Sequence, residues 1–450
     1  MQKEEYSMTS TYVFVVLLIS VGALVFMVSK LKFHAVLALY LATLMLALLV
    51  GTPIEKIPKM INTGFGNTCK SVAMVIFLGS LLGIILNKTG AIVKLTDSLV
   101  KFFGKKKVLW AIGTSCCILG IPVFPDTVSL LVIPLCTNLA KKTGISMMAF
   151  ASVIQISITT SSLVPPTPGP VAAAAALGLP LGVAIPWGIL VAIPGLLATI
   201  LYANTLKDKQ VPLNEAFLED TANSTTADLS MGFVRAITPV LLPVVLIILQ
   251  TVSSVTMPKS FFTKVMTFIG DPLSALFIGC FAAVFLQARD WVHNQDVRDK
   301  WINSAVLDCA GPVFITALGG SLAAFIKSAG AAKILAESIV AAHIPGIFVP
   351  MLIGFMIRTA TGSNTLGVAT AAALCEPMLG ILGISKLAAF LAMCSGAIAF
   401  SHANSSGFWL TCSLSKLNFN QGFRAIGGST ALSGLATSLF TLILYFAGII

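Results

Sequence analysis

The chain has 450 residues, of which 57% are hydrophobic and 10% are charged. Because stretches of about 20 apolar residues recur along it, this composition excludes a soluble globular protein and indicates a polytopic membrane protein with room for roughly ten to twelve spans. The formal net charge of +11 comes from basic residues in short loops beside apolar segments. That distribution is typical of cytoplasmic loops of membrane proteins, so we expect a lipid bilayer as partner and no nucleic acid.

Three spans and an amphipathic stretch are predicted first, at residues 10–29, 33–50, 69–88 and 91–103. The first apolar run ends at Lys30 without a small-residue cleavage site, which predicts a retained span and not a signal peptide. Lys105, Lys106 and Lys107 then form a basic cluster, which the positive-inside rule places in the cytoplasm.

The apolar segment 108–140 lies between that cluster and a second basic pair, Lys141 and Lys142. If both are cytoplasmic, the segment enters and leaves the membrane on one side. Its 33 residues are too few for two crossings of about 20 residues each. It therefore predicts a re-entrant hairpin of two short helices joined at Pro125, Asp126 and Thr127, with two full spans as the alternative. The tip must be buried in protein or line a wet cavity.

The next segment, 146–177, predicts a span interrupted at the polar run 159–162 and at four prolines within 165–170. Proline lacks an amide donor and clashes with the preceding turn, so helix should resume only in the alanine run 171–176. A further span is predicted at 182–204. The polar stretch 205–234 predicts a cytoplasmic linker between two membrane halves, 1–204 and 235–450.

The second half repeats this order. Its predicted elements are spans near 236–256, 271–288 and 305–327, an amphipathic stretch 331–343, a broken segment 344–383, a span from about 386 that breaks at 401–407, and a last span 426–448. Residues 78–100 reappear as 318–340 with eight identities in 23 positions. Placing the basic loops in the cytoplasm makes the two copies run in opposite directions. The sequence thus predicts an all-α polytopic membrane protein of two inverted repeats, each with a re-entrant helical hairpin and a broken transmembrane helix, an architecture of secondary transporters.

Polar residues at membrane depth concentrate in four places, two in each half. They are Asp126 and Thr127; Thr160, Ser161, Ser162, Thr167 and Gly169; Arg358, Gly362, Ser363, Asn364 and Thr365; and Ser401, His402, Asn404 and Ser405. Helix N-termini at such breaks suit an anion, and hydroxyl and amide groups suit a hydroxy-carboxylate. Single Ser and Thr residues can equally bond to helix carbonyls or pack at helix crossings. Their recurrence in both halves favours a substrate site.

Three ionisable residues in these clusters are candidates for transport chemistry. Asp126 can carry a proton, because burial disfavours a charged carboxylate, and its alternative is a helix N-cap. His402 can titrate near neutral pH or be a structural residue. Arg358 either binds a substrate carboxylate or anchors the hairpin at the membrane interface. The sequence contains no metal-ligand spacing and no nucleophile–base pair, so we expect no cofactor and no enzyme. Sodium is the alternative to a proton as coupling ion.

Four strings carry a resemblance to a known family: IPVFPD (121–126), LVPPTPGPVA (163–172), RTATGSNT (358–365) and SHANSSGFW (401–409). Over essentially its whole length the chain resembles the gluconate permease (gluconate:proton symporter) family of the ion transporter superfamily. The resemblance implies a homodimer in the bacterial inner membrane that couples proton entry to uptake of gluconate or a related small hydroxy acid. It also implies an elevator-type, alternating-access motion of both hairpins and both broken spans as one unit.

The chain departs from the family pattern at Ser161, Thr167 and Ser405. Gluconate carriers of the family often have His at the first two of these places and Asp at the third. The loss of these ionisable groups gives Asp126 and His402 more weight as proton carriers. It also leaves open a smaller substrate, such as glycerate, lactate or hydroxybutyrate, with sodium coupling.

Overall fold

The computed structural model describes residues 10–104, 107–219, 231–257, 260–288, 294–328, 343–398, 400–402 and 405–450. Within these ranges the regular structure is helical. Seven helical segments are long and apolar enough to cross a membrane, or eight if a pair bent by 67° counts as one span. Further apolar helices among the described residues, such as Ala35–Leu49, are too short to cross a membrane alone.

Ten helices form the first half. They are α1 (Ser10–Ser29), α2 (Ala35–Leu49), α3 (Ile57–Lys88), α4 (Ala91–Phe103), α5 (Val108–Leu119), α6 (Pro125–Thr143), α7 (Met147–Ile154), α8 (Ile156–Leu163), α9 (Pro168–Leu177) and α10 (Leu181–Asn204). The predicted spans 10–29 and 182–204 and the stretch 91–103 agree closely with α1, α10 and α4. By contrast, α3 begins at Ile57 and not at residue 69, because its polar first half packs on a helix of the second half.

The described part of the remaining chain adds twelve helices. They are α11 (Ala216–Glu219), α12 (Phe233–Thr256), α13 (Phe261–Ile269), α14 (Pro272–Gln287), α15 (Trp301–Ser328), α16 (Phe348–Thr361), α17 (Asn364–Cys375), α18 (Leu379–Leu382), α19 (Lys386–Gly396), α20 (Ser406–Leu414), α21 (Phe419–Gly422) and α22 (Gly428–Phe446). The sequence did not predict α13, which forms the bent pair with α14. The predicted amphipathic stretch 331–343, apart from His343, and linker residues 220–230 lie outside the described ranges.

The segment between the two basic clusters is a helical hairpin, as predicted. Helix α5 ends at Leu119 and α6 begins at Pro125, while Lys107 and Lys142, at the two open ends, line one cavity. The prediction that Pro125, Asp126 and Thr127 connect the two helices is wrong, because these residues form the first turn of α6. Phe124 is the N-cap, so Asp126 is not a cap. Proline at the first helical position costs no hydrogen bond there.

The first broken helix consists of α7, α8 and α9. Residues 159–162 lie inside α8, the main break lies at residues 164–167, and Gln155 alone separates α7 from α8. Helix resumes at Pro168 and not at residue 171, because the first-turn positions of Pro168 and Pro170 need no amide donor. Every residue from 146 to 174 is buried, so protein surrounds this break on all sides.

Among the described residues, helices α3 and α15 make the most extensive contact between the two halves. The Ile61 carbonyl accepts a hydrogen bond from the Ser321 hydroxyl at 2.9 Å. Four residues later on α3, the ring of Phe65 lies 5.6 Å from that of Phe314, seven residues earlier on α15. The helices therefore run in opposite directions. Gly64 permits this approach, because a Cβ atom there would lie 2.7 Å from the Ser321 Cα atom.

Candidate functional site

Helices α16 and α17 form the second hairpin, and α19 and α20 form the second broken helix. A cavity of about 770 Å³, within the usual size range of small-molecule sites, lies between these elements, the first hairpin and the first broken helix. Most of the predicted site residues line it. These are Asp126, Thr127, Ser161, Ser162, Thr167, Gly169, Arg358, Gly362, Ser363, Asn364, Thr365 and Ser405. The four polar clusters, which are far apart in sequence, thus meet in one place.

Four helices begin at the wall of this cavity. The first residues of α6, α9, α17 and α20 all line it, represented by Asp126, Gly169, Asn364 and Gly407. First-turn amides have no partner within their own helix. The N-caps of α6, α9 and α20 make no side-chain capping hydrogen bond. The cavity therefore has a positive electrostatic potential from four helix N-termini, which favours an anion.

Arg358, near the end of α16, is the one charged side chain among the largest fully buried residues of the described chain. Its Nη2 atom donates to the Ser401 hydroxyl at 3.3 Å. Its Nε and Nη1 atoms have no hydrogen-bond partner among the described residues. Unpaired buried donors are costly, and a planar guanidinium matches the two oxygens of a carboxylate. This burial does not fit the alternative in which Arg358 anchors the hairpin at the water interface.

Each hairpin tip contacts the broken helix of the opposite half. The Asn364 side-chain amide, at the second tip, donates to the Ser162 hydroxyl of the first broken helix at 2.8 Å. The Asn364 carbonyl oxygen is buried without a partner in the described structure. At the first tip, Asp126 accepts a hydrogen bond from Ser406 of the second broken helix at 3.4 Å. The pairing leaves Asn364 with one polar atom for a ligand.

Several predicted hydroxyls shape the breaks. Thr167 donates to the carbonyls of Ser161 and Val164, at 2.6 and 2.8 Å, which closes the turn between α8 and α9. Ser363 caps α17 by accepting from the Leu366 amide at 3.2 Å. Thr160 does not line the cavity, because its hydroxyl faces the Ile156 carbonyl and the Cys117 sulfur.

His402 also lies outside the cavity wall. Its Nε2 atom is 3.0 Å from the Thr359 carbonyl, and its ring packs 5.7 Å from that of Phe400. This hydrogen bond joins the second broken helix to the second hairpin. Asn404 lies outside the described residues.

The cavity contains residues that sequence analysis did not single out. His34 lies between α1 and α2, Asp308 lies on α15, and Ser406 and Gly407 begin α20. An isolated carboxylate within the apolar run 305–327 was a detectable signal for Asp308. The sequence gave no comparable signal for His34, because this residue lies in a predicted basic loop. Among the described residues, no group of three or more His, Cys, Asp or Glu side chains could hold a metal ion.

Comparisons with known proteins agree with this architecture. The sequence profile of the GntP family permease matches residues 12–447. The chain is 27% identical over 434 residues to the gluconate permease of Pseudomonas aeruginosa, covering 95% of this chain and 96% of that protein. It is 29% identical over 435 residues to the inner membrane permease YgbN of Escherichia coli K12, covering 93% and 95%. The crystal structure of the Alcanivorax borkumensis YdaH transporter shares the fold, with a TM-score of 0.63 at 15% identity, covering 92% of this chain and 99% of that one.

The contact between Gly407 and Asp126 can be tested by adding one methyl group. A Cβ atom at Gly407 would lie 2.7 Å from the Asp126 Oδ1 atom, so Gly407→Ala should displace the carboxylate. Any anion that stabilises the wild type in a thermal-shift screen should stabilise Gly407→Ala only at an at least tenfold higher concentration. This corresponds to a loss of about 1.4 kcal/mol in binding free energy. Gly380→Ala is the matched control, because its Cβ atom would meet nothing within 4 Å. Equal anion responses of both variants would contradict the assignment of this cavity as the anion-binding site.

Proposed function

Because the chain belongs to the GntP permease family, we propose that it takes up gluconate or a related small hydroxy-carboxylate by proton-coupled symport with alternating access. It is a transporter and not an enzyme, and it is a multi-pass protein of the bacterial inner membrane. The observation that carries the proposal is the meeting of four helix N-termini and the buried Arg358 at one cavity. Such a site favours a carboxylate over a neutral sugar, because charge-assisted hydrogen bonds from a guanidinium to a carboxylate are stronger than hydrogen bonds to neutral hydroxyls.

The substrate class follows from the polar groups around Arg358. The two unpaired guanidinium donors bind the carboxylate, and the Asn364 carbonyl oxygen and Ser162 hydroxyl bind substrate hydroxyls. Thr127, Ser161, Gly169, Thr365 and Ser405 complete the wall of this site. Gluconate, which the Pseudomonas aeruginosa relative is named for, carries both kinds of group.

We propose that Asp126 is the residue that couples proton movement to substrate movement. Its carboxylate is close enough to Arg358 for the two charges to interact. In the empty carrier, ionised Asp126 balances Arg358. When Asp126 is protonated and a carboxylate occupies Arg358, the buried charges again sum to zero. Both states avoid a net buried charge, so both can cross the bilayer, and one proton accompanies each monovalent anion. His402, the second proton-carrier candidate, lies outside the cavity wall.

The architecture that we propose for this cycle is a pair of inverted repeats, 1–204 and 235–450, joined by the cytoplasmic linker 205–234. The opposite directions of α3 and α15 support the inversion. The contacts of each hairpin tip with the opposite broken helix support a common transport unit that moves as an elevator. We also propose that the protein is a homodimer, as the family resemblance implies. The mass of the detergent-solubilised protein would test this oligomeric state.

The proton-coupling role predicts a specific defect in Asp126→Asn. We expect this variant to lose gluconate accumulation driven by a pH gradient in proteoliposomes, while gluconate exchange persists, because the neutral side chain mimics the protonated carrier. Asp97→Asn, which removes a partly exposed carboxylate paired with Lys101 outside the cavity, should accumulate normally. Accumulation that persists in Asp126→Asn, or that requires a sodium gradient in the wild type, would contradict proton coupling through this residue.

The carboxylate-binding role of Arg358 predicts a separation of stability from binding. Arg358→Met combined with Asp126→Asn removes both members of the buried charge pair, so the unfolding temperature of this double variant without substrate should not fall. The affinity for gluconate should fall at least tenfold, since charge-assisted hydrogen bonds contribute about 1.5–3 kcal/mol. Thermal shifts with and without gluconate measure both quantities. Arg298→Gln, on the exposed surface, is the control, and an unchanged affinity in the double variant would remove Arg358 from the site.

The inversion predicts opposite labelling of two equivalent positions. Lys88 and Ser328 end α3 and α15 and differ by the 240-residue spacing of the repeated segments. Single cysteines at these positions, in a cysteine-free background, should react with a membrane-impermeant maleimide from opposite sides of oriented vesicles. Reaction of both from the same side would exclude the inverted arrangement.

A further inference from the structure

A second cavity lies where the open ends of the first hairpin meet the end of α10. It has a volume of about 520 Å³ and shares no residue with the first cavity. Lys107, Lys142 and Lys207 line it, together with Trp110, Thr143 and Asn204. Among the described residues, its lining contains no Asp or Glu. Three lysines thus line one space without a carboxylate in the described part of its wall.

The backbone holds these lysines together. Lys107 is the N-cap of α5, Lys142 lies in the last turn of α6, and Lys207 follows α10. The Lys207 carbonyl accepts a hydrogen bond from the Ser146 amide at 2.8 Å. The Gln210 side chain donates to the Gly144 carbonyl, also at 2.8 Å. These two hydrogen bonds hold the chain after α10 against the end of the first hairpin. The fold itself therefore brings the three lysines together.

The chemistry of the lining selects a phosphate group. Lysine ammonium groups bind phosphate as point charges and need no planar partner. The surroundings favour a phosphate carried by lipid. The partly exposed Trp110 lies in the wall, and Phe102, five residues before Lys107 in the sequence, has 82% of its surface exposed. Exposed aromatic side chains beside basic residues are typical of the membrane–water interface, where anionic headgroups lie.

We propose that this pocket binds the phosphate headgroup of an anionic phospholipid. The lipid joins the first hairpin to the end of α10 through three lysines from three separate segments. This inference depends only on the chain's residence in the membrane, and it would stand if the proposed substrate or coupling ion were wrong.

The test uses the full-length protein in detergent, with phosphatidylglycerol, phosphatidylcholine or inorganic phosphate added. Phosphatidylglycerol should raise the unfolding temperature, and phosphatidylcholine should not. In the triple variant Lys107→Gln, Lys142→Gln and Lys207→Gln, the phosphatidylglycerol concentration that gives half of the maximal rise in unfolding temperature should increase at least tenfold. The corresponding triple Lys→Arg variant should keep the wild-type response, because it keeps the charge.

A control triple variant at exposed lysines outside the pocket, Lys30→Gln, Lys59→Gln and Lys264→Gln, should also keep that response. Native mass spectrometry should find one phosphatidylglycerol retained on the wild type and lost from the pocket variant. Equal phosphatidylglycerol responses of the pocket and control variants would overturn the site. Inorganic phosphate that acts at the same concentration as the lipid would overturn the lipid assignment.

Discussion

The cost of leaving backbone amides unsatisfied in hydrocarbon constrains the whole structure. A helix that breaks within the membrane exposes such groups, and lipid cannot satisfy them. The chain surrounds the first break with protein, so that residues 146–174 are buried, and turns the starts of α6, α9, α17 and α20 toward one cavity. The constraint on folding and the capacity to bind an anion therefore have the same physical origin. Two long helices, α3 and α15, hold the halves in the orientation that makes this meeting possible.

In the function that we propose, Arg358 gives that shared cavity its specificity. Helix N-termini alone favour any anion, whereas a buried guanidinium with unsatisfied donors favours a carboxylate, with which it forms charge-assisted hydrogen bonds. In the same proposal Asp126, which lines the same cavity, supplies the opposite charge when no substrate is present. On this view the three departures from the family pattern, at Ser161, Thr167 and Ser405, leave a site with fewer ionisable groups, in which Asp126 and Arg358 form the charge pair. Their hydroxyls line the cavity without adding charge.

Much of this arrangement could be predicted from the sequence because its signals are local. Two basic clusters and a short apolar segment predicted the first hairpin, and clustered prolines predicted the first break. The helical register was harder to predict, since adjacent residues differ by about 100° around the axis. Ser161 and Ser162 therefore line the cavity while Thr160 faces Cys117. Asp308 and His34 could not be placed, because their position in the wall depends on how α15 and the α1–α2 connection pack against the hairpins.

The burial of α8 has a consequence for biosynthesis. The Thr159 hydroxyl bonds to that of Ser433 at 2.7 Å, across 274 residues of chain, and Ser433 lies on the last long helix. During translation, α8 emerges from the ribosome long before this partner exists. Other hydroxyls of α8 already bond to carbonyls of their own helix, as those of Thr160 and Ser161 do. Thr159 is therefore the hydroxyl of α8 that gains its partner only when α22 has been made, so completion of this buried contact must be one of the last steps of assembly.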